Sequence, residues 1–357
     1  MQPTYPETFM TALASSTSHA DLPADTTGNS SSGPSPTLHL LGLGKVGQAV
    51  LEQLEGSPTL LLAATDSSAT RHDRRGLVPS ELLRAKRSKI PLVAFPGAEQ
   101  LPLHLVLGLS RAEIVVDALP STPLGGLAAL ERCRAVLRSG KKLVLASKDA
   151  LAVGAESLLG EANVGRIGIQ AALGGTGQAL LAELGDLRAK CEEIAIVANA
   201  STTELILALE QGLALEEGIA RCQARGVLES DPTLDLDGTD AATKLAIVAR
   251  AVFGLPVHAA AVPRQDARGL DPALVRARRL VGASTRLVGR ATRDGRVQVS
   301  YEELPLGSVL RVPSDRVVYT YRRRDGTTRV HVGHAIGAKA TATALLVDVC
   351  ALSGGAL

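Results

Sequence analysis

The stretch TLHLLGLGKVGQAVLEQL, residues 37–54, joins a short apolar strand, a glycine-rich turn and an amphipathic helix. Its turn matches the G-x-G-x-x-G pattern through Gly42, Gly44 and Gly47. Without Cβ atoms, these glycines permit a tight turn, close approach of a pyrophosphate to the backbone, and close packing of helix on strand. The amino-terminal end of the helix then offers free N–H groups to an anion. The stretch therefore predicts a dinucleotide-binding βα unit.

Further apolar strands follow at intervals that leave room for helices. They are LLLAATDSS at 60–68, EIVVDALPST at 113–122 and KKLVLASK at 141–148. Uninterrupted apolar runs of this kind are typical of parallel strands buried on both faces. Their alternation with helical segments predicts an α/β domain with a Rossmann-type, doubly wound parallel sheet over residues 37–150.

Residues 151–335 have a different pattern and predict a second domain. IGIQAALGG at 167–175 and EEIAIVANAS at 192–201 are expected to be strands of this domain. Helical periodicity over STTELILALEQG, LEEGIARCQARG and DAATKLAIVARAVFG is followed by alternating segments with Asp-Gly turns between 281 and 335. Such turns between alternating segments are typical of antiparallel hairpins. We expect an α+β domain with a mixed sheet, and a C-terminal helix over about 338–352 that packs back on the first domain.

Composition excludes several classes of protein. The 357 residues carry a formal net charge of +2 and only 2% aromatic residues, so a nucleic-acid partner is not expected. No apolar run reaches the roughly 18 residues that a membrane-spanning helix needs. The four cysteines lie far apart without a CxxC pair, which favours a reducing, cytoplasmic compartment. Residues 1–36, rich in Ser, Thr and Pro and without Lys or Arg, predict a disordered leader without a targeting signal.

The predicted dinucleotide can be NAD or NADP. Asp66, at the end of the second predicted strand, can accept hydrogen bonds from the ribose 2′-hydroxyl of NAD. Four basic residues can instead neutralise the 2′-phosphate of NADP: Lys45, Arg71, Arg74 and Arg75. Together they favour NADP by a small margin.

The segment DPTLDLDGTDAATK, residues 231–244, gathers four aspartates and one lysine at the start of a periodic helix. Asp240 falls in the first helical turn, where a carboxylate interacts favourably with the helix dipole. Lys244 is its i,i+4 partner on the same face. A helix amino terminus with solvent-exposed charged residues explains this pattern as well as a binding site does. The excess of acidic over basic residues nevertheless favours a ligand that bears an amino group.

The ordered set of motifs resembles the homoserine dehydrogenases. Residues 199–226, NASTTELILALEQGLALEEGIARCQARG, are similar to the family's N-G-T-T-N-Y-I-L and the helical pair that follows it. Residues 226–248, GVLESDPTLDLDGTDAATKLAIV, are similar to G-Y-x-E-x-D-P-x-x-D-x-x-G-x-D-A-x-x-K. LASK at 145–148 matches T-A-N-K, and GHAIGAKATATALLVDV at 333–349 matches the closing G-P-G-A-G-x-x-P-T-A segment. The resemblance extends over most of residues 37–350.

The resemblance implies reversible, NAD(P)-dependent reduction of L-aspartate 4-semialdehyde to L-homoserine by a cytoplasmic homodimer. The second domain, residues 151–335, would bind the substrate and mediate dimerisation through its sheet. Lys244 and Asp240 would be the acid/base groups beside the reacting oxygen, and Lys148 would lie between nicotinamide and substrate. Further substrate-binding residues would be Gly226, Glu229, Asp235 and Thr202. The cofactor-binding residues would be Gly42, Gly44, Lys45, Val46, Gly47, Ser121, Ser147, Lys148, Gly333 and Gly337, together with Asp66, which was selected above from its position after the second predicted strand.

Several positions depart from the family pattern. N-G-T-T-N-Y is N-A-S-T-T-E here, with Ala200 in place of glycine and Glu204 in place of tyrosine. Gln170 stands where the family has a glutamate that helps to bind a monovalent cation, so no metal is expected. Ile336 lies beside the expected cofactor. These differences leave open a relative that acts on another amino-acid semialdehyde or imine, and an inactive nucleotide-binding homologue. We expect the short form of the family, without the regulatory domain of some members.

Overall fold

The computed structural model describes residues 35–121, 126–228, 231–334 and 337–354. They form two units. The N-terminal unit comprises residues 35–178 and 337–354, and the central unit comprises residues 179–334. The predicted leader lies outside the described residues, except for its last two positions.

Within the described residues, the N-terminal unit contains a seven-stranded sheet in the order β4-β3-β2-β1-β5-β6-β7. The strands are β1 (Thr37–Leu41), β2 (Leu60–Thr65), β3 (Thr70–His72), β4 (Ala98–Glu99), β5 (Ile114–Asp117), β6 (Lys142–Leu145) and β7 (Ile167–Gly168). β2, β1, β5, β6 and β7 pair in parallel, whereas β3 and β4 add antiparallel strands at one edge. The parallel part confirms the predicted Rossmann-type sheet.

Helices of the N-terminal unit cover this sheet. They are α1 (Lys45–Leu54), α2 (Pro79–Arg87), α3 (Leu103–Leu109), α4 (Gly126–Arg138), α5 (Asp149–Leu158) and, after those of the central unit, α12 (Ala338–Leu352). α1 buries residues three and four apart, among them Val50, Leu51 and Leu54, against the strands. α12 packs on α1 and beside β6 and β7. Its Leu345 and Val349 join the same apolar core.

The boundary between the two units differs from the one expected near residue 150. β7 lies beside β6 in the first sheet, with Leu143 opposite Ile167, and the N-terminal unit continues to Gln178. A parallel pair needs a crossover connection, and α5 supplies it between β6 and β7. The segment IGIQAALGG therefore belongs to the N-terminal unit and not to the second domain.

The central unit contains a five-stranded sheet, within the described residues, in the order β10-β9-β8-β11-β12. Its strands are β8 (Cys191–Val197), β9 (Ser284–Thr292), β10 (Val297–Leu304), β11 (Arg316–Arg323) and β12 (Thr328–His334). Each pairing among these strands is antiparallel, where a mixed sheet was expected. The expectation was wrong because IGIQAALGG, counted as one of its strands, contributes to the other sheet. The predicted hairpins form β9–β10 and β11–β12.

Helices of the central unit pack on one face of this sheet. They are α6 (Gly177–Lys190), whose first two residues belong to the N-terminal unit, α7 (Ala200–Glu210), α8 (Leu215–Ala224), α9 (Thr233–Leu236), α10 (Thr239–Phe253) and α11 (Pro272–Leu280). α7, α10 and α11 contact β9, and α10 also contacts β8. On the opposite face, Val197, Val288 and Val318 pack against Leu310 and Val312 from the segment that joins β10 to β11. No helix among the described residues is long and apolar enough to cross a membrane.

Candidate active site

The glycine turn fits closely between β1 and α1. A Cβ atom at Gly47 would lie 2.0 Å from the carbonyl oxygen of Gly42, and one at Gly42 would lie 2.7 Å from the carbonyl oxygen of Ala118. A Cβ at Gly44, in contrast, would meet no atom of the described chain within 4 Å. Gly44 is also the N-cap of α1. Gly42 and Gly47 are therefore required by packing, whereas Gly44 leaves open space at the helix amino terminus, where an anion is favoured.

The predicted cofactor residues of the N-terminal unit follow adjacent strands. The glycine turn, with Lys45 and Val46, follows β1, Ser121 comes after β5, and Ser147 with Lys148 follows β6. Because β1, β5 and β6 are parallel neighbours, these residues lie along one edge of the sheet. The structure thus brings them together where α/β sheets bind ligands.

The remaining two predicted cofactor glycines belong to different units. Gly337 is the N-cap of α12 in the N-terminal unit, whereas Gly333 lies in β12 of the central unit. Ile336 lies outside the described residues.

Asp66 directly follows β2, but its carboxylate is occupied by its own loop. Oδ1 accepts hydrogen bonds from the backbone N–H groups of Ser68 and Ala69 and from the Ser68 hydroxyl. Oδ2 accepts from Lys86 Nζ at 2.9 Å and from Leu92 N at 3.3 Å. Burial raises the pKa of Asp66, but the hydrogen bonds from Ser68, Lys86 and Leu92 outweigh burial and lower it to about 2. Asp66 therefore remains ionised and holds the loop together.

The acidic segment forms a polar cluster in the central unit with the start of α7. α10 begins at Thr239, so Asp240 lies in its first turn as predicted. Lys244 Nζ lies 2.7 Å from Asp240 Oδ2 and donates to the carbonyl oxygen of Ala198 at 2.6 Å. The Lys244 side chain is 14% exposed and that of Asp240 is 22% exposed, so the pair is partly shielded from water. Two acceptors thus fix the position of the ammonium group.

Asn199 connects this pair to Asp235. Its Nδ2 donates to Asp235 Oδ1 at 3.1 Å and to Asp240 Oδ2 at 3.3 Å. Burial raises the pKa of Asp235, the Asn199 hydrogen bond lowers it and the charge of Asp240 raises it, leaving a net increase. Sequence reasoning did not select Asn199 as a site residue. The available signal was that Asn199 keeps the first position of the N-G-T-T-N-Y pattern while its neighbours change.

Two other predicted substrate residues border this cluster. Thr202 is buried, and its backbone N–H donates to Asn199 Oδ1 at 2.9 Å, so it orients the amide. Gly226 follows α8, and the next residue, Val227, accepts a hydrogen bond from Ser201 at 3.2 Å. The start of α7 is therefore tied to the Gly226 loop. Glu229 lies outside the described residues.

Gln170 uses both ends of its side-chain amide, one in its own loop and the other at the start of α6. Nε2 donates to the carbonyl oxygen of Gly175 at 2.8 Å, and Oε1 accepts from Gln178 N at 2.8 Å. A neutral amide with its oxygen already engaged does not fit the cation site of the family pattern. Among the described residues, no group of three or more His, Cys, Asp or Glu side chains can hold a metal ion.

Comparison with known proteins agrees with these motifs. A family model described as homoserine dehydrogenase matches residues 179–350. The NAD(+)-dependent homoserine dehydrogenase of Pseudomonas canavaninivorans is 28% identical over 291 residues, which are 78% of this chain and 81% of that protein. The homoserine dehydrogenase of Methanocaldococcus jannaschii is 26% identical over 331 residues, which are 87% of this chain and 96% of that protein. Residues 179–350 therefore match the homoserine dehydrogenase family model, and the named relatives are homoserine dehydrogenases.

Solved homoserine dehydrogenase structures share the fold. The enzyme from Thermoplasma acidophilum has a TM-score of 0.68 at 21% identity, covering 90% of this chain and 99% of that chain. A hyperthermophilic archaeal homoserine dehydrogenase in complex with NADPH has a TM-score of 0.67 at 21% identity, covering 88% and 96%. The resemblance and the α/β architecture predicted from the sequence are both confirmed.

The contrast between Gly44 and Gly47 yields a paired prediction. Gly47→Ala should destabilise the protein by about 1–3 kcal/mol, because the new Cβ forces the Gly42 backbone to move. Gly44→Ala should leave the unfolding temperature unchanged but weaken NAD(P)H binding about tenfold, since its Cβ projects into the space assigned to the pyrophosphate. Thermal unfolding and fluorescence titration with NADPH and NADH measure both effects. Unimpaired binding by a stable Gly44→Ala variant would place the pyrophosphate elsewhere.

Proposed function

We propose that the protein is an NAD(P)-dependent homoserine dehydrogenase that reversibly reduces L-aspartate 4-semialdehyde to L-homoserine. The observation that carries the proposal is the partly buried Asp240–Lys244 pair, linked through Asn199 to Asp235. The match of residues 179–350 to the homoserine dehydrogenase family model and the similarity to known homoserine dehydrogenases support it. The space in front of Gly44 supports dinucleotide binding at the start of α1.

Lys244 is assigned to the reacting oxygen of the substrate. The bound nicotinamide dinucleotide supplies or accepts the hydride. Negative charge grows on the aldehyde oxygen during reduction, and a fixed ammonium stabilises that charge and donates a proton. Asp240 and the Ala198 carbonyl hold Lys244 Nζ in place, so little reorganisation is needed at the moment of reaction. In the oxidative direction, neutral Lys244 takes the hydroxyl proton back.

Asp235 is assigned to the substrate ammonium, together with Glu229. Asp235 is partly buried, and burial and the charge of Asp240 raise the pKa of its carboxyl group, which supports a site for a compensating positive charge. A substrate ammonium would supply the missing positive charge. Gly226 and Thr202 are assigned to the same pocket, because Thr202 orients Asn199 and the Gly226 loop is tied to α7.

The cofactor is assigned to the sheet edge of the N-terminal unit. Lys148, the N-cap of α5, is assigned to the nicotinamide side together with Ser147. The glycine turn with Lys45 and Val46 is assigned to the pyrophosphate, and Gly333 and Gly337 to further cofactor contacts. Ser121, exposed after β5, completes the set.

Substitution of Lys244 tests the activity. Lys244→Ala should lower kcat for homoserine oxidation and for semialdehyde reduction by roughly 10²- to 10⁴-fold, since the proton donor is lost. The formation and consumption of NAD(P)H over a panel of amino-acid semialdehydes measures turnover and substrate choice together. Lys190→Ala is the matched control, because Lys190 forms a 2.7 Å i,i+4 pair with Asp186 on an exposed surface.

Two results would contradict these assignments. Near-wild-type turnover by Lys244→Ala would remove Lys244 from the mechanism. A folded wild-type protein that binds NADPH but turns over neither homoserine nor aspartate semialdehyde would reject the proposed reaction.

We also propose a small preference for NADP over NAD. The Asp66 oxygens are engaged by Ser68, Ala69, Leu92 and Lys86, which leaves little acceptor capacity for a ribose 2′-hydroxyl. Lys86 in turn places an ammonium at the end of β2, where the adenosine ribose binds in Rossmann-type sheets. Exposed Arg74 and Arg75 add positive charge after β3. These positively charged surroundings favour a 2′-phosphate over a 2′-hydroxyl.

Lys86→Ala should therefore shift the cofactor preference towards NAD. Removing the ammonium frees the Asp66 carboxylate, which repels a 2′-phosphate and can accept a hydrogen bond from a 2′-hydroxyl. The ratio of kcat/KM for NADPH to that for NADH should fall about tenfold, as expected for one charge-assisted contact of about 1.5 kcal/mol. Arg87→Ala on the same helix, where Arg87 pairs with exposed Glu52, is the control. An unchanged ratio in Lys86→Ala would exclude Lys86 from cofactor selection.

Finally, we propose a cytoplasmic homodimer formed through the central sheet. The sheet face opposite the helices carries a shallow depression lined by Val309 and Leu310 beside the Glu193, Arg290 and Arg322 ion pairs. Apolar and paired charged groups on one face suit contact with a second copy.

Sedimentation velocity should show a species of about twice the 36.9 kDa chain mass. Leu306→Asp, beside this sheet face and 71% exposed in the single chain, should weaken the dimer. Leu127→Asp, 73% exposed in the N-terminal unit, should not. A wild-type protein that sediments as a monomer at micromolar concentration would contradict the proposal.

A further inference from the structure

Asn199 occupies the junction between β8 and α7 and is almost fully buried. It is the N-cap of α7, and its Oδ1 accepts the backbone N–H of Thr202 at 2.9 Å. Its Nδ2 donates to two carboxylates, Asp235 at 3.1 Å and Asp240 at 3.3 Å. One side chain therefore caps a helix and joins two acidic residues that lie 36 and 41 positions away in the sequence.

The chemistry of the neighbours fixes which way the amide points. Carboxylate oxygens only accept hydrogen bonds when ionised, and a backbone N–H only donates. A reversed amide would set Oδ1 against the oxygens of Asp235 and Asp240, and Nδ2 against the Thr202 N–H. The orientation with the donor towards the carboxylates is therefore the one that satisfies every partner.

Helix capping alone does not explain an asparagine at this position. An N-cap needs only an acceptor, and Asp and Ser serve about as well as Asn. The NH₂ end of Asn199 contributes nothing to the cap, yet it makes both contacts to the carboxylates. The donor end must therefore be explained by the acidic cluster.

The charges of the cluster are distributed unevenly. The Lys244 ammonium lies 2.7 Å from Asp240, and Asp235 has no cation at salt-bridge distance among the described residues. The charged groups that act on Asp235 are Asp240 and Lys244, both from α10. From β11, the fully buried phenol of Tyr319 lies near Asp240, and burial, Tyr321 and Asp240 all raise its pKa, so it stays neutral. Asn199 is accordingly a neutral donor between two like charges that otherwise repel.

We propose that Asn199 is a positioning residue that fixes both carboxylates through one amide, so that Asp240 remains on Lys244 while Asp235 serves the substrate ammonium. This role rests on the homoserine dehydrogenase function proposed above. Asn199 acts through Asp235 and Asp240 and takes no part in the hydride or proton transfer itself.

The test compares Asn199→Asp and Asn199→Ser with the wild-type protein. Both substitutions keep an N-cap acceptor and remove the amide donor. Asn199→Ser should change the unfolding temperature little, whereas Asn199→Asp should lower it because a third carboxylate enters the cluster. Loss of the donor favours the protonated form of Asp235, and a new carboxylate at position 199 favours it further. The acid limb of kcat/KM for homoserine against pH should move up by about one unit, with a larger shift for Asp. KM for homoserine near neutral pH should rise about tenfold, while KM for the dinucleotide stays within about twofold.

Thr203→Val is the matched control. Thr203 is buried in the same helical turn, and its hydroxyl donates to the backbone oxygen of Asn199 at 2.9 Å without contacting a carboxylate. It should match the packing disturbance without moving the acid limb. If Asn199→Asp and Asn199→Ser show the acid limb of the wild-type protein, Asn199 is only a helix cap and the proposal is overturned.

A titration without substrate separates this proposal from the proposed function. Carboxyl-carbon NMR of aspartate-labelled protein follows Asp235 directly in the wild type and in Asn199→Ser, with Asp235→Asn for assignment. A raised Asp235 pKa in Asn199→Ser supports the positioning role of Asn199 whether or not homoserine is oxidised. An unchanged value overturns it, and a wild-type protein inactive towards homoserine overturns the proposed function alone.

Discussion

The close contact between Gly47 and the carbonyl of Gly42 is the constraint on which the N-terminal unit depends. α1 starts so near β1 that no side chain fits between them, and this fixes where the helix axis meets the sheet edge. With the helix in that place, its first N–H groups face open space at Gly44 instead of a capping side chain. The same close packing that completes the apolar core under α1 therefore leaves the open space that we assign to the pyrophosphate. Under this assignment, stability and cofactor binding depend on one geometric requirement.

In the central unit, hydrogen bonds and an ion pair hold the candidate site in place. Asn199, the N-cap of α7, donates to Asp235 in α9 and to Asp240 in the first turn of α10. Lys244 then reaches back one turn to Asp240 and across to the end of β8 at Ala198. Each polar group in this shielded cluster thus has a partner, as buried polar groups require. Asp235 has no cation at salt-bridge distance among the described residues, and this is why we assign the substrate ammonium to it.

Local patterns in the sequence predicted most of the fold, and long-range contacts explain what they missed. Uninterrupted apolar runs identified β1, β2, β5 and β6 because burial on both faces leaves a direct signature. β7 is two residues long, which is too short for any periodicity. The boundary was therefore predicted near residue 150, whereas the N-terminal unit continues to Gln178. The position of Asp66 after β2 predicted a contact with a ribose hydroxyl. Sequence could not show that Lys86 and Leu92 donate hydrogen bonds to the Asp66 carboxylate.

In the candidate site too, local contacts could be predicted from the sequence and long-range contacts could not. The Asp240–Lys244 pair follows from helical spacing, and the structure has it at 2.7 Å. Asn199 could not be identified from spacing, since its partners are far away in the chain.

Two of the departures from the family pattern, Glu204 and Gln170, find partners close by. Glu204, in place of tyrosine, is buried in α7 and forms an ion pair with Arg225. Gln170, in place of glutamate, forms hydrogen bonds with Gly175 in its own loop and with Gln178 at the start of α6. None of the hydrogen bonds that link Asn199, Asp235, Asp240 and Lys244 passes through an altered position. Because a buried group that lacks a partner would disturb its surroundings, these local partners explain how the motif can change while the acid–base cluster is retained. The altered residues therefore argue for a modified pocket around preserved chemistry.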